Sequence, residues 1–246
     1  MQLPLQHKTA LVTGASRGIG AAIAQRLARD GAEVIVHFGS GDAEARQVAA
    51  GITAEGGHAS LVQADLSAAN GPTHLAEAVG TRRIDILVNN AGVAPIAGIE
   101  DMDEAGYDRL SNVNMRSLFF VTQKILPRIP DGGRIVNISS VVARTAFAGI
   151  PAYSATKGFV NTLTIQLAAA LGSRGITVNA VAPGAIDTRM SEWIHAPGGQ
   201  DALKQLQALS GVGQPAHIAG VVAFLVGPDG SWITGEVVEA SGGTKL

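Results

Sequence analysis

The chain has 246 residues, 46% of them hydrophobic and only 4% aromatic, with 31 glycines, which suits one large α/β domain with a two-sided core of Ala, Val, Ile and Leu. A formal net charge of -2 gives no electrostatic case for nucleic acid or an anionic membrane; the absence of cysteine excludes disulfides, thiolate catalysis and cysteine-held metal clusters, and the histidines lack zinc-site spacing. The opening MQLPLQHKTALVTG has no signal-peptide pattern and no run approaches the roughly eighteen apolar residues of a membrane span, so a soluble, cytoplasmic protein is expected.

An apolar run from Thr9 to Thr13 leads through TGASRGIG into a segment with Ile19, Ile23 and Leu27 at helical spacing, which stops at Gly31. This reads as strand, glycine turn and helix. Gly14, Gly18 and Gly20 fall as G-x-x-x-G-x-G; glycines there let the backbone approach a pyrophosphate, and the helix start favours an anion through its N–H groups and dipole. A second strand runs from Glu33 to Phe38, ending where an NAD site places an acid for the ribose hydroxyls. His37, Phe38, Gly39 and Ser40 stand there instead, so no strand-end carboxylate repels a 2′-phosphate, and Arg17 could pair with one. NADP(H) is thereby favoured over NAD(H); the alternative leaves Arg17 in solvent, with Asp42 or backbone groups holding an NAD ribose.

Asp42 to Ala54 reads as a helix and HASLVQADLS as a third strand ending at Asp65, whose carboxylate either takes the adenine amino group or caps the next helix. Leu75 to Val79 is helical. Ile84 to Gly92 is a fourth strand ending in Asn-Asn-Ala-Gly, whose amides tie loops together and line a groove, or simply make a turn. Asp103 to Ile129 is a long helical pattern broken by Pro127 and Pro130, with Asn114 among apolar neighbours as an internally satisfied amide. RIVNISS is the fifth strand, Ile176 to Gly184 the sixth, HIAGVVAFLV a helix and EVVEASGG the last strand. Asp187 to Gly213 is irregular and amphipathic, suiting a mobile flap over a pocket or a fixed surface hairpin. Strand–helix alternation with short connections implies one domain over residues 1–246, an α/β fold whose doubly wound parallel sheet is covered on both faces.

Tyr153 opens an Ala-rich helical run, and Lys157, four residues on, shares its face. A free tyrosine titrates near pH ~10, too high for a base at neutral pH, and a neighbouring ammonium pulls that value down. Ser140, ending a buried strand, offers a hydroxyl to a substrate oxygen. An exposed Y-x-x-x-K pair and a strand-end serine are also commonplace.

Taken together and in order, TGASRGIG, Asp65, NNAG, Asn114, Ser140, YSATK and Pro183-Gly184 resemble the classical short-chain dehydrogenase/reductase family, its 3-oxoacyl-[acyl-carrier-protein] reductase-like members in particular, over essentially the whole chain. The resemblance implies a Rossmann-type sheet of about seven parallel strands, with hydride transfer between nicotinamide and a carbonyl or secondary alcohol. It implies Tyr153 as general acid or base, Lys157 lowering its pKa and binding the nicotinamide ribose, Ser140 holding the substrate oxygen, and Asn114 positioning a water that links Lys157 to solvent. Around the cofactor it places Gly14, Ser16, Arg17, Gly18, Ile19 and Gly20, then Phe38, Ser40, Asp65 and Leu66, then Asn90, Ala91 and Gly92. At the nicotinamide end it adds Pro183, Gly184, Ile186 and Thr188. No metal is implied.

The implied assembly is a homotetramer built on the helices holding Asn114 and Tyr153, where Ala168, Ala169 and Ala170 would permit close packing between chains or within one. Arg144 stands where many relatives carry glycine, as a solvated loop cation or a ligand for an anionic substrate group. Ala216-His217 and the residues before Gly242-Gly243 also depart from the family's acidic pattern. The expected reaction is NADPH-dependent reduction of a ketone, with 3-oxoacyl thioesters one candidate class and the pocket lined by Val93 to Ile99, Val141 to Ile150 and the flap. The alternatives are a secondary-alcohol or sugar/polyol dehydrogenase using NAD, and a nucleotide-binding protein without turnover, which has no need of the catalytic set.

Overall fold

The computed structural model describes residues 3–246; Met1 and Gln2, which open the stretch read for a targeting signal, lie outside it. Strands β1 (Thr9–Val12), β2 (Glu33–Phe38), β3 (His58–Gln63), β4 (Ile86–Asn89), β5 (Arg134–Ile138), β6 (Thr177–Pro183) and β7 (Val237–Ala240) pair in parallel throughout, in the order β3-β2-β1-β4-β5-β6-β7. The chain winds one way from β1, returns to the centre and winds the other way from β4. A crevice therefore opens between β1 and β4 at the carboxyl ends of the strands, the place where such sheets bind ligands.

Helices α1 (Gly18–Arg29), α2 (Asp42–Ala54), α3 (Gly71–Val79), α4 (Glu104–Ser111), α5 (Ser117–Ile125), α6 (Pro151–Leu171), α7 (Gly199–Leu206) and α8 (Pro215–Val226) fill the connections. Alternation along each strand sorts the core into two layers. Ala10, Val12, Val34, Val36, Ile86, Val88, Val136 and Ile138 face α1, α2 and α8, while Leu11, Ile35, Leu87, Ile135 and Val178 face α3, α5 and α6. Each fully buried Leu or Ile among them contributes about 2 kcal/mol through loss of apolar surface from water.

Where boundaries differ from those read in the sequence, hydrogen bonds explain it. The fourth strand stops at Asn89 rather than Gly92 because the N–H groups of Asn90 and Ala91 turn aside to the Thr13 hydroxyl, both at 3.0 Å. The helix read as Leu75 to Val79 begins earlier, at Gly71, with Pro72 in its first turn where a missing N–H costs nothing. The long helix read from Asp103 to Ile129 is interrupted by a π turn at Asn112–Arg116, between α4 and α5, and closes as a 3-10 turn at Leu126–Arg128 around Pro127. The 187–213 segment contains a 3-10 stretch, Arg189–His195, and α7, with Ile194 and Leu203 buried.

Candidate active site

The chain must turn sharply from β1 into α1. Gly14 and Gly18 sit at φ 62° and 56°, in the left-handed region that a side chain resists. Gly20 is required for closeness: a Cβ there would lie 2.3 Å from the Gly14 carbonyl oxygen and 2.4 Å from Asn90 Nδ2. Arg17, the residue before α1, is extended; no side-chain hydrogen bond caps the helix, and its first turn carries no acid. Its first N–H groups, at the positive end of the dipole, are thus left to an anion, and the turn fits a pyrophosphate.

Three strand ends are pinned to this turn. Asn90 Nδ2 donates to the carbonyls of Thr13 (2.8 Å) and Gly14 (2.9 Å), so the loop-tying alternative read for the Asn-Asn pair is the one adopted by Asn90. The Gly14 N–H donates to Nδ1 of buried His37 at 3.1 Å, which puts the ring proton on Nε2, 3.0 Å from the Ala64 carbonyl. One neutral imidazole thereby joins the ends of β1, β2 and β3, and burial pushes its pKa down to about 4.

At the carboxyl ends of β2 and β3 Phe38 and Leu66 are buried and Ser40 is exposed, with Ser16 Oγ next to Gly41. Asp65 does not cap a helix, since α3 starts at Gly71. Its carboxylate accepts from Ser67 N (2.9 Å) and Ser67 Oγ (2.7 Å), and these bonds hold it below its ordinary range. The end of β2 carries no acid, as read, yet the first turn of α2 supplies one: Glu44 Oε1 lies 3.5 Å from Arg17 and 3.8 Å from Arg189 of the flap. Arg17 is therefore neither isolated in solvent nor free of a competing carboxylate.

The second half of the groove follows directly. A Cβ on Gly14 would lie 2.9 Å from Ala91 Cα, and one on Gly92 would lie 3.5 Å from Asn114 Oδ1 and 3.8 Å from Lys157 Nζ, so the glycine turn runs on into the lysine without a break. Ser140 ends the β5 segment and caps a short turn, accepting from Val142 N. Lys157, buried on α6, donates to the Ile138 carbonyl at 2.8 Å and stands 5.6 Å from the centre of the Tyr153 ring. Burial draws the ammonium down to about 8. Desolvation pushes the Tyr153 phenol up to about 12, while a hydrogen bond donated by Ser140 pulls the other way. Desolvation thus sets the direction at both groups, raising the phenol rather than lowering it as the spacing with Lys157 predicts, while Nζ gives its bond to a backbone carbonyl.

Asn114 faces this corner because the π turn inserts an extra residue and rotates its amide inward, a device common at functional sites. Its Oδ1 accepts from Val93 N (2.9 Å), and its Nδ2 donates to Val93 O (2.9 Å) and Thr156 Oγ1 (3.1 Å). The amide thus clamps the loop that leaves Gly92.

Sequence reading passed over a buried polar chain beneath the corner. Asn89 Nδ2 donates to Thr122 Oγ1 (3.0 Å) and Asn137 Oδ1 (2.9 Å), and Asn137 Nδ2 donates to Thr164 Oγ1 (2.9 Å), tying β4 and β5 to α5 and α6. The signal was present: asparagine in the apolar strands ILVN and RIVNI at the alternating position that faces those helices. His37, in EVIVHF, gave the same kind of signal.

The far wall is the flap. Beyond buried Pro183, a Cβ on Gly184 would lie 2.8 Å from the Ser241 carbonyl oxygen, and Ile186 bridges to Gly213. Thr188 Cγ2 lies 3.3 Å from where a Gly18 Cβ would be, so the flap crosses over the glycine turn. His195 Nε2 meets Asp187 Oδ1 at 2.8 Å and fastens the 3-10 stretch to the flap's root. Arg144 is an exposed loop cation, as one of its two readings had it, but it is not a lone one: its guanidinium pairs with both carboxylate oxygens of Glu239 and with two carbonyls of the C-terminal tail.

Residues 14–245 match the family model described as enoyl-(acyl carrier protein) reductase. An uncharacterised oxidoreductase of Methylorubrum extorquens is 46% identical over 98% of this chain and 99% of its own length. A probable tetrahydroxynaphthalene reductase of Zymoseptoria tritici is 37% identical over 97% of this chain and 94% of its own. Among solved structures, the landomycin C-6 ketoreductase LanV with bound NADP and rabelomycin superposes with a TM-score of 0.89 at 42% identity, over 98% of this chain and 97% of that one. Likeness that extends from the glycine turn to the tail, in sequence and in fold, makes this chain a member of the short-chain dehydrogenase/reductase family.

Proposed function

We propose that the protein is an NADP(H)-dependent carbonyl reductase in which Tyr153 is the general acid. The observation that carries this reading is the continuity of the groove, from the uncapped start of α1 through Ala91 and Gly92 to Lys157, with Tyr153 and Ser140 at its end. When bound, the cofactor supplies the hydride. Gly14, Ser16, Gly18, Ile19 and Gly20 would cradle its pyrophosphate, Arg17 and Ser40 its adenosine phosphate, Phe38, Asp65 and Leu66 its adenine, and Ile186 and Thr188 its nicotinamide end. LanV, crystallised with NADP, supports the choice of cofactor.

The chain's own part is orientation and proton supply. Ser140 holds the carbonyl oxygen within reach of the Tyr153 hydroxyl. A phenol pushed up to about 12 holds its proton at neutral pH and can pass it to the substrate oxygen as charge develops there. The same phenol would act as the base in alcohol oxidation; the dehydrogenase alternative ranks second because two of the relatives are named as reductases and one of these was crystallised with NADP. Lys157 carries charge next to the phenol, and Asn114 holds the loop after Gly92 against this corner.

The relatives' names point to hydroxynaphthalene-type rings and rabelomycin as the first ketone substrates to test, beside 3-oxoacyl thioesters. An open groove of about 510 Å³ lies between residues 98–108 and Pro151-Ala152 at the start of α6, lined by Ile99, Met102 and Tyr107 together with Asp103, Glu104 and Asp108. A homotetramer is part of the proposal: Phe119 on α5 and Ile165 on α6 are 41% and 52% exposed, as a contact between copies would need, whereas Ala168 is already buried within the chain. The cytoplasm is the proposed location. The deciding assay follows NADPH and NADH oxidation over a panel of ketones; turnover with NADPH on aromatic ketones is expected, and turnover only in the alcohol direction with NAD would replace this reading by the dehydrogenase one.

A further inference from the structure

The loop leaving Ser140 and the flap are the two walls between which a ketone would enter. The last six residues, Ser241–Leu246, run between these walls and bond to both. Toward the flap, Gly242 O accepts from Ala208 N (3.0 Å) and Leu209 N (2.9 Å), and Lys245 N donates to Leu206 O (2.7 Å). Toward the loop, Arg144 donates to the carbonyls of Lys245 (3.3 Å) and Thr244 (3.2 Å), and Lys245 Nζ returns a bond to Ala146 O (2.5 Å) while lying 3.9 Å from the Phe147 ring centre. The remaining donors of Arg144 grip Glu239 of β7, which anchors the arrangement to the sheet. Gly242 and Gly243, at φ 66° and 75°, give the tail the turn it needs to do this.

Neither wall is anchored by its own sequence alone. The residues after Ser140 form a single short turn, Val141–Ala143, before Arg144, and beyond α7, which ends at Leu206, the N–H groups of Ala208 and Leu209 are directed at the tail. Arg144 sits four residues from the serine that meets the phenol, so the position of its guanidinium bears on the position of that hydroxyl.

We propose that Arg144 is a positioning residue, acting through the C-terminal tail, that fixes the spacing between the Ser140 loop and the flap and so sets which ketones the cleft accepts. The proposal rests on the reductase reading. Its effect falls on the substrate, because the tail's bonds lie on the substrate side of the groove and the glycine turn is held separately by Asn90 and His37.

Arg144→Ala is expected to raise KM for a fused-ring ketone such as 1-tetralone about tenfold, and that for cyclohexanone much less, with NADPH affinity unchanged. Glu239→Gln, which keeps the shape of the anchor and removes its charge, is expected to act in the same direction by a smaller factor and guards against Arg144→Ala failing to fold. Both KM values at the wild-type level, or NADPH affinity falling by as large a factor as the ketone KM rises, would overturn the proposal in favour of a purely structural ion pair. Should the wild-type protein reduce no ketone, the reductase reading fails separately; the clasp is then read by amide exchange at Ala208 and Leu209, expected to quicken in Arg144→Ala, and unchanged exchange would overturn it.

Discussion

At the glycine turn the shape is set by side chains that are missing, whereas at the corner of Ser140, Tyr153 and Lys157 it is set by polar side chains that are present, Lys157 buried and the other two half-buried. Gly20 matters because nothing larger fits within 2.3 Å of the Gly14 carbonyl. Lys157 matters because it is a cation out of water with one carbonyl, Ile138, to receive it. The first region is open and electrically simple, and its chemistry is exposed backbone N–H. The second is desolvated, so its groups titrate far from their ordinary values and respond to each neighbour. Damage to the turn should therefore register in binding and folding, and damage to the corner in turnover.

The largest separation expected is for Tyr153→Phe, which removes one hydroxyl: turnover falls by about a thousandfold or more while NADPH affinity stays within about twofold. Retained turnover in stopped-flow assays would falsify the acid role. Gly20→Ala should give the mirror image, a loss of about 3 kcal/mol in chemical denaturation, since backbone and Asn90 would both have to move, with cofactor binding lost in step.

The pH dependence of stability sharpens the same contrast through His37. Its folded pKa, about 4, lies below the unfolded value of 6.5, so the unfolded chain binds more protons between those limits. Stability contributed by the neutral ring is present in full above pH ~6.5 and declines as pH falls toward ~4, by about 3 kcal/mol in all. Replacing His37 by Gln should flatten that slope in denaturant titrations at stepped pH, and an unchanged slope would exclude the imidazole as its source. Smallest of all is the exposed rim: Arg17→Ala should weaken NADPH by about tenfold and NADH little, and Glu44→Gln should tighten NADPH by a few-fold by freeing Arg17 and Arg189. Equal loss of both cofactors in Arg17→Ala would remove it as a 2′-phosphate ligand.

Much of this groove was legible before any fold was in hand. TGASRGIG announces its turn because glycines between an apolar run and a helical one act locally, through φ and through the first helical turn. Tyr153 and Lys157 announce a shared face because the helix period is local too. The π turn that aims Asn114 was not legible, since LSNVNMRS has an ordinary helical pattern and the extra residue is accommodated only by what packs around it. Nor was the use of Arg144: its partner Glu239 is 95 positions away, and nothing near either residue names the other.

The sequence by itself determined the order of strands and helices, the glycine turn, and which residues share a strand or helix face, because periodicity and backbone preference are properties of neighbours along the chain. Only the tertiary structure decided that Asn90 and His37 lock the turn, that Lys157 spends a bond on Ile138, and that the tail joins both walls of the cleft. Those outcomes depend on which distant groups are brought together and on how far water is excluded from them, and desolvation is a property of the packed whole.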